Sequence, residues 1–231
     1  MTKIVASGIW PQHVFGHSDG LRDPDDLRAD RYKLLIINGG EDISPSIYGE
    51  KPLASHAGPE PSQRDQIEMD LIKKAWEVGI PVLGICRGAQ LLCAMTGGKL
   101  YQDVFGHAGG LHSIYSKVKG WEFGVTNSCH HQMMIPTEEG ELLAWNDPLI
   151  NWKRAHGSEY NFERIITEAG LRTRLTRFKV EKRVVEDIKE PEVVLWKERR
   201  SLGVQGHPEW LRPHDWLVRF TQHILNDLGV A

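Results

Sequence analysis

The sequence predicts an α/β protein built on a mostly parallel central sheet with helices on both faces. Two apolar runs, Tyr32-Lys33-Leu34-Leu35-Ile36-Ile37 and Pro81-Val82-Leu83-Gly84-Ile85, have the near-continuous hydrophobicity of strands covered on both sides. A helical period lies between them, and the second run ends in a glycine-framed turn leading straight into another helical stretch. Strand, helix, strand, turn and helix make a βαβα succession.

The chain opens on Met1 to Gly8, which reads as a first strand at Ile4 to Ala6. No long apolar stretch or small-residue cleavage site follows, so it is not read as a signal peptide. A helix is predicted to start near Ser62, because Ser62-x-x-Asp65 matches a capping box and Ile67, Leu71, Ile72 and Ala75 fall on one face. Trp196-Lys197-Glu198-Arg199-Arg200 reads as part of a hairpin with Glu198 to Ser201 near its turn. After Pro213, the helical spacing of Trp216, Leu217, Phe220, Ile224, Leu225 and Leu228 predicts a packed C-terminal helix.

One α/β domain over 1–231 is expected, since a chain of this length with 40% hydrophobic residues can bury a single large core. The least orderly part is 152–183, with nine Lys/Arg against four Glu and weak periodicity, read as an atypical surface insertion or a surface for a partner or anionic substrate. A net charge of −3 gives no global attraction to nucleic acid or anionic lipid. No run approaches the roughly 20 apolar residues that span a bilayer, so the expected location is cytoplasmic. Cys86, Cys93 and Cys129 are too few and wrongly spaced for a disulfide framework or a thiolate zinc site, which fits a reducing compartment.

Cys86 carries the chemistry. It sits in Gly84-Ile85-Cys86-Arg87-Gly88-Ala89-Gln90, a nucleophile elbow between strand and helix, where the helix's positive end favours a thiolate. His207 in Gln205-Gly206-His207-Pro208-Glu209 is the expected base, with Glu209 placed to orient the imidazole. Asn38-Gly39-Gly40-Glu41-Asp42 follows a neighbouring strand at the end where such sheets bind ligands. The Gly40 and Arg87 amides are therefore the expected oxyanion hole, with Gly39 leaving the substrate free approach. Cys93 is read as a buried small hydrophobe.

Several motifs occur in consistent order: Ile37-Asn38-Gly39-Gly40-Glu41-Asp42 through Glu50, Arg64-Asp65, the Cys86 elbow through Leu92, Gly97-Gly98-Lys99-Leu100-Tyr101-Gln102-Asp103, Asn127-Ser128-Cys129-His130-His131-Gln132, and His207-Pro208-Glu209. Together they resemble the class I glutamine amidotransferase superfamily and, within it, the stand-alone γ-glutamyl hydrolase branch that includes γ-glutamyl-γ-aminobutyrate hydrolases. The resemblance implies a flavodoxin-like fold, with Cys86 as nucleophile, His207 as base then acid and Glu209 as orienting carboxylate. It also implies a glutamyl thioester and a glutamyl-binding surface that includes Gln90, Ser128, His130 and His131. Members usually carry a large aromatic before the catalytic histidine. This chain has Gly206, read as a missing pocket wall or room for a bulkier group.

The expected substrate is a small γ-glutamyl compound, hydrolysed without organic cofactor or metal. His107, His112, His130 and His131 do not show a helical ligand spacing and no carboxylate falls at a metal spacing, so a polar loop at the site mouth is the expectation. Two alternatives stand beside the hydrolase: a glutaminase subunit feeding ammonia to a separate synthetase partner, and a silent interaction module using the basic segment. The sequence leaves open whether the chain forms a homo-oligomer.

Overall fold

The computed structural model describes residues 3–6, 18–104, 107–146, 161–167, 170–176 and 189–230. Its strands are β1 (Lys3–Ala6), β2 (Ser18–Gly20), β3 (Tyr32–Ile37), β4 (Val82–Ile85), β5 (Lys99–Asp103), β6 (Leu111–Ser116), β7 (Phe123–Asn127), β8 (Met133–Ile135), β9 (Glu141–Asn146), β10 (Asn161–Thr167), β11 (Gly170–Thr176), β12 (Glu190–Trp196) and β13 (Ser201–Val204). The helices are α1 (Gln63–Val78), α2 (Arg87–Met95) and α3 (Trp216–Asp227).

The larger sheet has nine strands in the order β2-β1-β3-β4-β13-β12-β9-β6-β7. Neighbours from β2 to β13 pair in parallel. Beyond β13 each pairing is antiparallel, so β12 and β6 run against the common direction and the sheet as a whole remains mostly parallel. The hairpin expected around Trp196 is the β12–β13 connection, a short 3-10 turn over Lys197–Arg199.

Alternation along β3 divides the core in two, because successive strand residues face opposite sides of the sheet. Leu35 and Ile37 pack with Leu71, Ile72 and Ala75 of α1 and Ala89 and Leu92 of α2. Leu34 and Ile36 pack with Leu217, Phe220 and Ile224 of α3 on the opposite face. Each fully buried aliphatic or aromatic side chain of this kind contributes about 1.5–3 kcal/mol. The expected capping box is present: Asp65 N–H donates to Ser62 Oγ at 3.1 Å, and Ser62 N–H donates to the Asp65 carboxylate at 2.8 Å.

A second sheet follows the order β10-β11-β5-β8. The segment read as weakly periodic thus contains an antiparallel strand pair, β10 with β11, and β11 runs parallel to β5. Its sequence alternates Leu171, Thr173 and Leu175 with Arg172 and Arg174, a two-residue period masked by the density of charge. Residues 152–160, 168–169 and 177–183 of that segment lie outside the described residues.

Candidate active site

Cys86 follows β4 and is the N-cap residue of α2, with φ 49° and ψ −107°, an uncommon conformation for a residue with a side chain. Two glycines make the bend fit. A Cβ on Gly84 would lie 2.5 Å from the Gly88 backbone, and a Cβ on Gly88 would lie 2.1 Å from the Ile37 carbonyl oxygen. Closure at both points lets β4, α2 and β3 converge below the sulfur, which is the predicted elbow.

Sheet register brings the second motif to the first. Ile85 pairs with Val204 across β4 and β13, and Cys86 N–H donates to the Val204 carbonyl at 2.7 Å. The chain therefore reaches His207 three residues after Val204, which lies beside the elbow. Gly39 lies against both side chains: a Cβ there would stand 2.8 Å from His207 Cε1 and 3.4 Å from Cys86 Cβ. A short 3-10 turn over Pro208–Trp210 then folds Glu209 back, placing its Oε1 2.7 Å from His207 Nδ1. With the carboxylate accepting from Nδ1–H, Nε2 is left as the basic nitrogen.

The thiol is less acidic than a helix terminus alone would make it. Burial pushes Cys86 up to about 12 from an ordinary value of 9.0, outweighing the Arg87 N–H, which pulls it down. Loss of solvation is the largest cause of the shift, against the expectation of a thiolate favoured at the helix end. The Arg87 side chain is engaged elsewhere, buried in ion pairs with Asp65 and Glu68 of α1. Asp65 thus both caps α1 and holds the first residue of α2.

Arg64 supports the glycine loop. It donates to the Asn38 and Gly39 carbonyls at 3.2 and 3.0 Å and pairs with Glu41 at 2.8 Å and Glu68 at 3.0 Å. Gly40 has φ 151°, and a Cβ there would meet Arg64 Nη1 at 2.3 Å. The positive φ favours glycine there.

The remaining expected residues separate into two groups. Gln90 Nε2 and His130 Nδ1 both donate to the Gln132 carbonyl, at 3.1 and 2.8 Å, which brings these two together. Burial holds His130 well below the ordinary histidine range, with nearby His107 adding to the effect. Ser128 instead donates to the His107 carbonyl at 2.8 Å. His131 bonds Asp42 at 2.8 Å and stacks on His56 with ring centroids 4.3 Å apart, bracing the far end of the glycine loop.

Two residues with direct contacts to His207 are not singled out by sequence reasoning. Asn127 Nδ2 donates to the His207 carbonyl and His207 N–H donates to Asn127 Oδ1, both at 2.8 Å. Trp210 stacks on the His207 ring at 3.8 Å with planes 2° apart while remaining 60% exposed. Asn127 heads the Asn-Ser-Cys-His-His motif, and Trp210 directly follows Glu209. Adjacency to those motifs is the signal the sequence offers for them.

The reading of Gly206 as an opened wall is corrected. A Cβ there would lie 2.4 Å from Thr126 Oγ1 and 2.9 Å from both the Asn127 carbonyl oxygen and Leu217 Cδ2. The space an aromatic would need is already filled. A polar loop at the site mouth is also not what His107 and His112 form. His107 is buried and bonds Glu190 at 2.9 Å, while His112 lies 3.3 Å from Glu192, both carboxylates coming from β12. Among the described residues, ligand atoms are grouped closely enough for a metal ion at His107, His112 and Glu192 and at Asp42, His56 and His131.

Cys86, Cys93 and Cys129 are free, the first two buried and the third exposed. Cys93 packs in the core as expected. No described helix is long and apolar enough to cross a membrane.

Comparison with known proteins agrees with this architecture. The chain is similar to the glutamine amidotransferase-like protein YvdE of Lactococcus lactis, 47% identical over 70 residues, which are 30% of this chain and 29% of that protein. It is 30% identical over 180 residues to the gamma-glutamyl-gamma-aminobutyrate hydrolase of Escherichia coli O157:H7, covering 77% of this chain and 63% of that one. The matched stretches therefore span less than two thirds of either relative. A glutamine amidotransferase structure from Thermotoga maritima superposes with a TM-score of 0.55 at 14% identity, over 99% of this chain and 94% of the other, and shares the fold. The Peptidase C26 family model matches residues 23–209. The chain belongs to the Peptidase C26 family of class I glutamine amidotransferase-like proteins.

Proposed function

We propose that this protein hydrolyses γ-glutamyl amide bonds through a thioester on Cys86, releasing glutamate and an amine or ammonia. The observation that carries the reading is the convergence of Cys86 and His207 on Gly39, with Glu209 bonded to Nδ1 of the imidazole. The hydrolase name of the Escherichia coli relative supports the substrate class.

Because burial keeps the sulfur protonated, proton transfer to His207 Nε2 accompanies attack on the γ-carbonyl. The tetrahedral oxyanion lies against the Gly40 and Arg87 amides. His207 then gives its proton to the departing amine, and the acyl group remains on sulfur. A water, deprotonated by the same nitrogen, attacks the thioester, and collapse returns the proton to the thiol as glutamate leaves. Glu209 holds the tautomer throughout and stabilises the imidazolium. Gly39, Gln90, Ser128, His130 and His131 contribute to the surface that receives the glutamyl head group, with Gln90 and His130 fixed through the Gln132 carbonyl.

The test is turnover of glutamine and a panel of γ-glutamyl amines by the protein alone. Glutamate release by the wild type, lost in a folded Cys86→Ala variant, is the expected result. Unchanged turnover in Cys86→Ala would overturn the reading. Glutaminase activity that appears only with an added synthetase would shift it to an ammonia-supplying subunit.

A further inference from the structure

We propose that His107, His112 and Glu192 form a buried site for one divalent first-row transition ion, with zinc as its occupant. The two histidines lie close together in sequence, and Glu192 is remote from both. His107 precedes β6, His112 lies within β6, and Glu192 lies on β12, on the other side of β9. Their ligand atoms nevertheless fall within 4.8 Å of one another.

The spacing fits a coordination edge, and Ser128 Oγ, 3.3 Å from His107 Nδ1, gives its one proton to the His107 carbonyl at 2.8 Å, which leaves the Nδ1 lone pair to an ion. His112 Nε2 is 3.3 Å and His107 Nδ1 3.7 Å from the same Glu192 oxygen. Ligands about 2.0–2.1 Å from a tetrahedral zinc stand about 3.3–3.4 Å apart. The Glu192 side chain is 1% exposed, yet neither of its oxygens has a hydrogen-bond partner among the described residues. Buried carboxylate oxygens without donors are costly. An ion at their common focus would satisfy them.

The surroundings supply what such a site needs beyond its ligands. His107 Nε2 is held by Glu190 at 2.9 Å, the carboxylate–histidine arrangement that fixes ring orientation in metal centres. Asn146, at the end of β9, donates to the same Glu190 oxygen at 2.8 Å. Two neutral imidazoles, Glu192 and the adjacent Glu190 balance a double positive charge. Imidazole and carboxylate donors suit zinc, and a fourth position is left for water. Bound there, the ion would tie β6 to β12 and brace Ser128 and His130, which His107 meets at 3.3 Å and, ring to ring, at 4.6 Å, a structural role with no part in bond making at Cys86.

The experiment uses the full chain carrying Cys86→Ala and Cys129→Ala, so that thiolates do not bind the probe, purified without metal-affinity steps. After reconstitution with zinc and dialysis, elemental analysis should find about one zinc per chain, falling at least about tenfold in His112→Ala and Glu192→Gln. Zinc content unchanged by either substitution, or a parent protein that retains none, would overturn the proposal. Should the variants fail to fold, cobalt titration of the parent decides. Visible ligand-field bands of a four-coordinate nitrogen and oxygen site are expected. Their absence, or a sulfur-to-cobalt charge-transfer band, would refute it.

Discussion

Asn127 and His207 grip each other through two reciprocal hydrogen bonds of 2.8 Å, one in each direction between the amide side chain and the histidine backbone. The end of β7 therefore sets where the imidazole stands. Replacing Asn127 with Ala removes both bonds. The expected outcome is a fall in kcat of about 10- to 100-fold with little change in KM, since misplacing a catalytic group by about 1 Å costs that much. Steady-state kinetics on a chromogenic γ-glutamyl anilide separates the two parameters.

Glu209→Gln tests the orientation of the imidazole. The amide can present Nε2–H toward His207 Nδ1 and stabilise the wrong tautomer. Activity is expected to fall by about 10² to 10⁴, as for loss of the carboxylate in Ser-His-Asp triads. A variant that folds normally and keeps most of its kcat would remove Glu209 from the mechanism.

The thiols should differ in reactivity. Burial raises the Cys86 value to about 12, so its reactive anion forms only as the pH climbs toward that value. In the free protein at neutral pH, iodoacetamide should label exposed Cys129 before Cys86. Labelling of Cys86 should keep accelerating as the pH is raised past neutrality into the alkaline range. Peptide mapping across pH reads both rates, and a Cys86 rate that levels off near neutral pH would show a resting thiolate instead.

The elbow's geometry predicts a sharp contrast between glycines. Gly88→Ala would set a methyl 2.1 Å from the Ile37 carbonyl oxygen, whereas a Cβ on Gly58 meets nothing within 4 Å. Gly88→Ala should destabilise the fold by about 1–3 kcal/mol or more, in the range of core overpacking. Gly58→Ala should be close to neutral. Thermal unfolding of the two variants side by side checks this.

Much of this site is legible in the sequence because its chemistry is concentrated in short motifs. The apolar runs at 32–37 and 81–85, the Ser62–Asp65 cap and the Cys86 elbow are local signals, and the fold uses each as read. What the sequence does not show depends on distant parts of the chain meeting. Glu190 and Glu192 have no evident relation to His107 and His112 until β9 brings β12 and β6 to its two edges. The raised Cys86 value comes from enclosure, which motif spacing does not encode. Gly206 reads as a vacancy because a missing side chain does not reveal that Thr126 and Leu217 occupy its place.

Intact-mass analysis during turnover addresses the thioester most directly. Acid-quenched protein mixed with a γ-glutamyl anilide should gain the mass of one glutamyl group on Cys86. Peptide mapping should locate that group, and Cys86→Ala should show none. Catalysis that proceeds undiminished in Cys86→Ala, or an adduct that maps to Cys129, would contradict a mechanism built on Cys86 and His207.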